Sequence, residues 1–114
     1  FSPILGDFYN GMATTVMLHN AQLTGTPGGE EIRDRLAEYY RDEYFVTVAP
    51  FGGDEPVIYA DTNADTNRLR ILVTGSEGRT TVTALFDNLG KGASGAAVQN
   101  MNIMLGLDEK TGLI

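Results

Sequence analysis

The chain has 114 residues and a mass of 12.3 kDa, which is enough for one domain with a modest core and too little for two. Its 42% hydrophobic and 20% charged residues are typical of a globular protein and exclude a disordered tail, a collagen-like repeat and a coiled coil. The net charge of −7 argues against nucleic acid and anionic membranes as partners, because both need a basic surface. The sequence predicts neither a membrane span nor a signal peptide.

Cysteine and histidine limit the chemistry further. The absence of Cys excludes disulfides, thiolate metal sites and a cysteine nucleophile within these residues. The single histidine, His19, has no HxxE or HxxH spacing and is interpreted as a surface or structural residue. Asp61 and Asp65 lack the Gly-then-Glu spacing of an EF-hand loop. We therefore predict no metal site, and a cytoplasmic location.

The first predicted element is a strand at residues 12–19, MATTVMLH, which is rich in β-branched and apolar residues. The preceding residues 1–11 are interrupted by Pro3, Gly6 and Gly11 and are predicted to form a loop.

The second predicted element is an amphipathic helix at residues 28–42. Thr26 followed by Pro27 predicts an N-cap and a first helical position. Glu30 and Glu31 fall in the first turns, where they favour the helix dipole. Apolar side chains recur at helical spacing and predict one buried stripe, formed by Ile32, Leu36, Tyr39 and Tyr40.

Four segments with strand-like composition follow. Tyr44–Val48 predicts a short strand, and Val57–Ala60 a possible short edge strand. Leu69–Thr74 and Thr80–Phe86 are the clearest strands after the first one. Because the turn residues 75–78 lie between them, the two should form an antiparallel hairpin.

The last predicted element is a helix at Gly92–Leu105, with Gly106 as its C′ residue. Its predicted apolar face contains Ala97, Val98, Met101, Met104 and Leu105. The order of elements predicts an α+β domain, in which helices cover one face of a mixed or antiparallel sheet.

The Gly-rich segment Asp87–Gln99 contains the strongest candidate site. A strand ends, a tight turn follows and a helix begins, and Gly90, Gly92 and Gly95 keep side chains away from the helix start. Free backbone N–H groups there would let an electronegative group or a ligand approach closely, beside Lys91. Glycine and alanine on a helix also indicate close packing against a sheet, and the residue pattern leaves both interpretations open.

Residues 87–114, DNLGKGASGAAVQNMNIMLGLDEKTGLI, closely resemble the C-terminal end of N-acetyl-γ-glutamyl-phosphate reductase, an enzyme of arginine biosynthesis. Residues 1–12, FSPILGDFYNGM, resemble the strand entry that follows the catalytic His segment of this family, and residues 65–71 resemble its "TN" segment. The resemblance spans essentially the whole chain. A DN-L-x-KGA core is shared with aspartate-semialdehyde dehydrogenases, whereas the QNMN…GL tail favours the reductase.

The resemblance implies a fold and a mechanism. The family has a Rossmann domain and then a catalytic domain similar to that of glyceraldehyde-3-phosphate dehydrogenase. A Cys attacks the acyl phosphate, and hydride from NADPH reduces the thioester, with a His as general acid/base. The family's catalytic His precedes Phe1, so His19 is not its counterpart. We expect residues 1–114 to form the C-terminal portion of the catalytic and dimerisation domain, without the Rossmann domain, the Cys segment or any catalytic residue.

The resemblance also implies a cofactor contact. In the resembling enzymes this helix start lies near the nicotinamide, and four residues match the motif and are predicted to contact NADP(H) in the complete enzyme: Gly92, Ala93, Ser94 and Gly95. Three positions depart from the pattern. Ala96 stands where relatives often have Gln, Asn10 where they often have a basic residue, and Ile4 where they commonly have His.

The expected partners are the rest of the reductase chain and further copies in a homo-oligomer. The isolated chain is expected to bind no cofactor and to be inactive. Two alternatives stay open, namely a non-catalytic binding or oligomerisation module of the same fold, and a part of an aspartate-semialdehyde dehydrogenase relative.

Overall fold

A computed structural model describes all residues 1–114 and contains one mixed four-stranded sheet with two helices. The elements in chain order are β1 (Met12–His19), a 3-10 turn (Asn20–Gln22), α1 (Gly29–Tyr39), β2 (Val46–Val48), β3 (Leu69–Ser76), β4 (Arg79–Phe86), a π-helical turn (Gly90–Ser94) and α2 (Gly95–Met104). The strands lie in the order β1-β4-β3-β2. Strands β1 and β3 are antiparallel to β4, while β2 is parallel to β3. The predicted α+β class with a mixed sheet is confirmed.

The hairpin of β3 and β4 forms the centre of the sheet. Its register runs from Leu69 opposite Phe86 to Ser76 opposite Arg79, so only Glu77 and Gly78 remain as the turn. The predicted antiparallel hairpin is confirmed, and each strand extends further into the predicted turn because a two-residue connection matches the twist of the paired strands.

Helix α1 covers one face of β3 and β2. Its first residue, Gly29, lies beside the hydroxyl of Thr80, which points to the same face of the sheet as Ile71 and Val73. Both apolar side chains are buried, and Val73 is completely inaccessible. Gly92 of the π-helical turn contacts the ring of Phe86 on this same face. Both helical segments thus start against one face, as the sequence predicted.

The opposite face carries a small core cluster of Ala49, Leu72 and Leu85. The loop after β2 passes over it, with Gly53 near Leu72. Strand β1 at the sheet edge is exposed along almost its whole length, and Met17 is 81% exposed. The sheet is therefore well covered at β3 and open at β1.

Helix α1 differs from its prediction at both ends. Its N-cap is Gly28, and Thr26 adopts a left-handed backbone with φ of 46°, so the prediction of Thr26 as N-cap and Pro27 as first helical residue is wrong. The helix ends at Tyr39, whose side chain is 78% exposed and packs edge-on against Tyr40. The prediction of a buried stripe is thus wrong in degree, because no residue of α1 is fully buried and Ile32, Leu36 and Tyr40 are only half-buried.

The predicted edge strand at Val57–Ala60 is wrong. The carbonyl of Tyr59 accepts bonds from the backbone N–H and the hydroxyl of Thr62, so it closes a local turn and has no strand partner. Residues 57–59 are exposed. The predicted strand Tyr44–Val48 forms only at its end, as β2, although the buried Phe45 still accepts a bond from the N–H of Leu69.

The second helix begins as one π-helical turn and continues as α2. Gly106 has φ of 69°, and the N–H of Leu107 closes the end by bonding to the carbonyl of Asn102, so the predicted C′ position is confirmed. The predicted apolar face is largely uncovered, with Met101, Met104 and Leu105 exposed. No helix of this fold combines the length and apolar character that a membrane span requires.

Candidate functional site

A buried carboxylate, Asp87, stands immediately after β4 and before the Gly-rich turn. Its Oδ1 accepts bonds from the backbone N–H groups of Leu89 and Gly90, at 2.7 and 2.8 Å. Its Oδ2 accepts a bond from the backbone N–H of Asp65 and another from Nδ2 of Asn10, both at 2.6 Å. Asp87 is only 2% exposed, so three separate parts of the chain meet at one enclosed carboxylate.

These hydrogen bonds keep Asp87 ionised. The backbone N–H of Gly90 has the largest effect and, with those of Asp65 and Leu89 and the Asn10 amide, lowers the pKa of Asp87 below its ordinary value of 3.8, although burial acts in the opposite direction. No Lys or Arg forms an ion pair with it. The negative charge is therefore held by N–H dipoles alone.

Four N–H groups at the helix start are occupied, which corrects the expectation that they are free. Those of Leu89 and Gly90 bond to the Asp87 carboxylate. Those of Gly92 and Ser94 bond to carbonyl groups five residues earlier, at 2.8 and 3.2 Å, which is the π-helical pattern. The chain's own carboxylate thus takes the position at which an external anion would bind.

The four residues predicted to contact the cofactor have different surroundings. Gly92, Ala93 and Ser94 are exposed, whereas Gly95 is buried. A Cβ added to Gly95 would lie 2.3 Å from Oδ1 of Asn67, so this glycine allows close packing. The packing interpretation therefore fits Gly95, while the contact of Gly92–Gly95 with a cofactor stays a prediction.

A cleft of about 350 Å³ opens beside the Asp87 carboxylate. Its walls come from the segment before β1, from the loop before β3 and from the helix start, and they include Tyr9, Asn10, Asp65, Asn67, Ser94 and Gly95. Most of these groups are polar. Of the four predicted contact residues, Ser94 and Gly95 line this cleft.

Lys91 stabilises the C-terminal part of the chain. Its Nζ donates a bond of 2.5 Å to Oε1 of Gln99 and lies 5.6 Å from the centre of the Phe45 ring. Nε2 of Gln99 in turn donates to Glu109. Burial lowers the pKa of Lys91 from its ordinary value, and the charges of Glu109 and Glu43 oppose this shift. Lys91 does not line the cleft.

His19 lies at the opposite end of β4 from Asp87, since it pairs with Arg79 while Met12 pairs with Phe86. It is exposed. No group of three or more His, Cys, Asp or Glu side chains is arranged to hold a metal ion.

The roles of Asn10 and Asp87 are not evident from the sequence. In the sequence, Asn10 is only a departure from the family pattern, and Asp87 is only one residue of the Gly-rich motif. A local signal existed for Asp87, because an Asp followed after one or two residues by a turn often accepts the N–H groups of that turn.

Comparison with known proteins identifies the family. The model described as "Semialdehyde dehydrogenase, dimerisation domain" matches residues 1–88. N-acetyl-gamma-glutamyl-phosphate reductase 2 of Nostoc sp. is 45% identical over 120 residues, covering 99% of this chain and 37% of the relative. The N-acetyl-gamma-glutamyl-phosphate reductases of Trichormus variabilis and Brucella ovis are 43% and 42% identical, covering 99% and 93% of this chain and 37% and 36% of those relatives.

The chain thus spans little more than a third of the length of these relatives, and its resemblance to the reductases is confirmed. Because the family model matches 88 of the 114 residues, the chain belongs to the semialdehyde dehydrogenase dimerisation-domain family.

Proposed function

We propose that the chain is the C-terminal part of an N-acetyl-γ-glutamyl-phosphate reductase, a cytoplasmic enzyme of arginine biosynthesis. The complete enzyme reduces N-acetyl-γ-glutamyl phosphate to N-acetylglutamate semialdehyde and releases phosphate, with NADPH as the hydride donor. The observation that carries this proposal is the 42–45% identity to named reductases over 93–99% of the chain.

The proposal assigns the covalent chemistry to residues outside these 114. Without a Cys the chain offers no thiolate for thioester formation, so in isolation we expect no turnover. When bound, NADPH supplies the hydride. The contribution of this chain is to shape the cofactor side of the site through the helix start.

Ser94 is the best placed of the four candidate contact residues. It lines the cleft, and its Oγ donates a bond of 2.9 Å to the carbonyl of Leu89. Its hydroxyl proton is therefore used, and toward a ligand the oxygen acts as an acceptor. An acceptor suits the amide N–H groups of a nicotinamide carboxamide. The small side chains of Gly92, Ala93 and Gly95 leave room for a flat ring beside it.

The proposal also includes a homo-oligomer. The matching family is described as a dimerisation domain, and β1 is the most exposed strand of the sheet. We propose that a second copy covers this region.

The test is an assay of the protein that contains this chain, run in the oxidative direction. N-acetylglutamate semialdehyde, phosphate and NADP⁺ should give the acyl phosphate, NADPH and a proton, and we expect NADPH formation that depends on phosphate. Aspartate semialdehyde serves as the matched alternative substrate. Turnover of that aldehyde instead would identify the aspartate-semialdehyde dehydrogenase alternative, and turnover of neither would favour a non-catalytic module.

A further inference from the structure

The Asp87 carboxylate joins three segments that are distant in sequence. Oδ1 bonds only to the helix start, through Leu89 and Gly90. Oδ2 bonds only to the loop before β3, through the N–H of Asp65, and to the segment before β1, through Asn10. Each oxygen thus binds a different part of the chain, and the carboxylate sets the distance between the helix start on one side and the two other segments on the other.

The segment Tyr9–Gly11, called the arm below, is held at more than one point. Nδ2 of Asn10 also bonds to Oδ1 of Asp65 at 2.9 Å, and the N–H of Gly11 bonds to Oδ1 of Asn88 at 2.8 Å. A Cβ at Gly11 would lie 2.6 Å from the carbonyl oxygen of Ala60, so the arm is pressed against the loop. Residues of the arm and of the helix start both line the cleft.

We propose that Asp87 is a positioning residue that holds the arm and the helix start in the relative placement that catalysis requires. The inference rests on the proposed function, in which the arm continues from the catalytic His segment and the helix start faces the nicotinamide. Asp87 borders the cleft but is only 2% exposed, and its oxygens are taken by N–H groups, so the proposal has it act through Asn10 and Gly90.

The chemistry of the site requires an aspartate. Four N–H groups converge on two oxygens, and a carboxylate accepts on both. The isosteric Asp87→Asn keeps the volume but has one amide oxygen, so two of the four donors would face an NH2 group. Asn10→Ala removes only the side-chain bonds of the arm.

The test measures steady-state kinetics of the complete reductase that contains this chain. We expect Asp87→Asn to lower kcat by about tenfold to a hundredfold, as small displacements of positioning groups do. Asn10→Ala should lower kcat in the same way but less. If Asp87 acts through the arm, the losses of kcat in the two single variants will not multiply in the double variant. Adding Asn10→Ala to the Asp87→Asn protein will then lower kcat only slightly further.

The control is Val73→Ala, which removes buried core volume away from the cleft. This variant should lose stability and keep the kcat of the folded enzyme. Three results would overturn the proposal: an unchanged kcat in Asp87→Asn, an equal loss of kcat in Val73→Ala, or losses for Asp87 and Asn10 that simply multiply.

Amide exchange of the same proteins separates this inference from the proposed function. In Asp87→Asn, exchange should accelerate together at Gly11, Leu89 and Gly90, while Leu72 in the hairpin stays protected. A wild-type protein without reductase activity would overturn both the proposed function and this role. An active wild type with unchanged kcat in Asp87→Asn would overturn the positioning role alone.

Discussion

A buried charge normally has an oppositely charged partner, and Asp87 does without one. Its four short N–H contacts replace the water that burial removes, so desolvation does not neutralise the carboxyl group. The same contacts satisfy two N–H groups of the helix start that would otherwise lack partners. The Asp87 side chain therefore satisfies its own charge and the N–H groups of the helix start with the same hydrogen bonds.

The lowered pKa of Asp87 predicts a pH dependence of stability. The carboxyl in the unfolded chain titrates at its ordinary value of 3.8, and in the folded chain it titrates lower. The stabilisation is therefore complete above pH 3.8 and is lost as the pH falls through the folded value. Asp87→Asn lacks this contribution, so its deficit in free energy of unfolding should be constant near neutrality and shrink below pH 3.8.

Urea unfolding of both proteins at a series of pH values measures this deficit. All other carboxyl groups are common to the two proteins and cancel in the difference. A deficit that stays constant down to the lowest pH at which both proteins fold would contradict the prediction.

Close packing at Gly95 predicts a loss of stability on adding one methyl group. Its Cβ would lie 2.3 Å from Oδ1 of Asn67 and 2.9 Å from the backbone of Gly90. Although alanine favours a helix by about 1 kcal/mol, we expect Gly95→Ala to destabilise the protein by about 1–3 kcal/mol through overpacking. The matched control is Gly28→Ala, since a Cβ at Gly28 meets nothing within 4 Å. Urea midpoints measure both, and equal midpoints would show that the helix start shifts without cost.

Elements that depend on residues close together in the sequence were predictable from it. The hairpin of β3 and β4 follows from two strand-forming runs and a short turn, and the end of α2 follows from Gly106. Residues 57–60 have the composition of a strand, yet they have no strand partner and are irregular, because a strand needs a neighbour that composition does not reveal. The π-helical turn was also unpredictable, since it arises where the Asp87 carboxylate holds the first N–H groups.

The candidate site was predictable only in its location. The motif predicts a site at the Gly-rich helix start, and in the structure Ser94 and Gly95 line a cleft there. The partners of Asp87 were not predictable, because Asn10 lies 77 residues away and Asp65 lies 22 residues away. A single sequence does not show which amide meets which carboxylate.

At the scale of the whole molecule, two of the exposed apolar surfaces lie on regular elements of the fold. One is β1, where Met12, Val16 and Met17 are exposed, and the other is α2 with Met101 and Met104. Exposed apolar patches mark contact surfaces. Since the chain spans only about 37% of the length of the relatives it matches, these two places are candidates for contacts with a second copy and with the rest of the protein.

Dimerisation through the β1 region is testable with a matched pair of variants. Met17 on β1 and Met104 on α2 are 81% and 86% exposed. If the complete protein dimerises through β1, Met17→Glu should weaken the dimer by about tenfold or more, because a carboxylate buried without a partner is costly. Met104→Glu should leave the dimer intact. Sedimentation measures both, and a monomeric wild type or a stronger effect of Met104→Glu would reject this surface.

The order of strands in the sheet also bears on the order in which the parts of the chain fold. Strands β3 and β4 close through a two-residue turn, whereas β1 must pair with β4 across the whole intervening chain, from Met12 to Phe86. Loop closure of that length carries a larger entropic cost, which only the completed hairpin can offset. We therefore expect folding to proceed outward from the hairpin. The contacts of Asp87 join segments that are distant in sequence, so we expect them to be among the last to form.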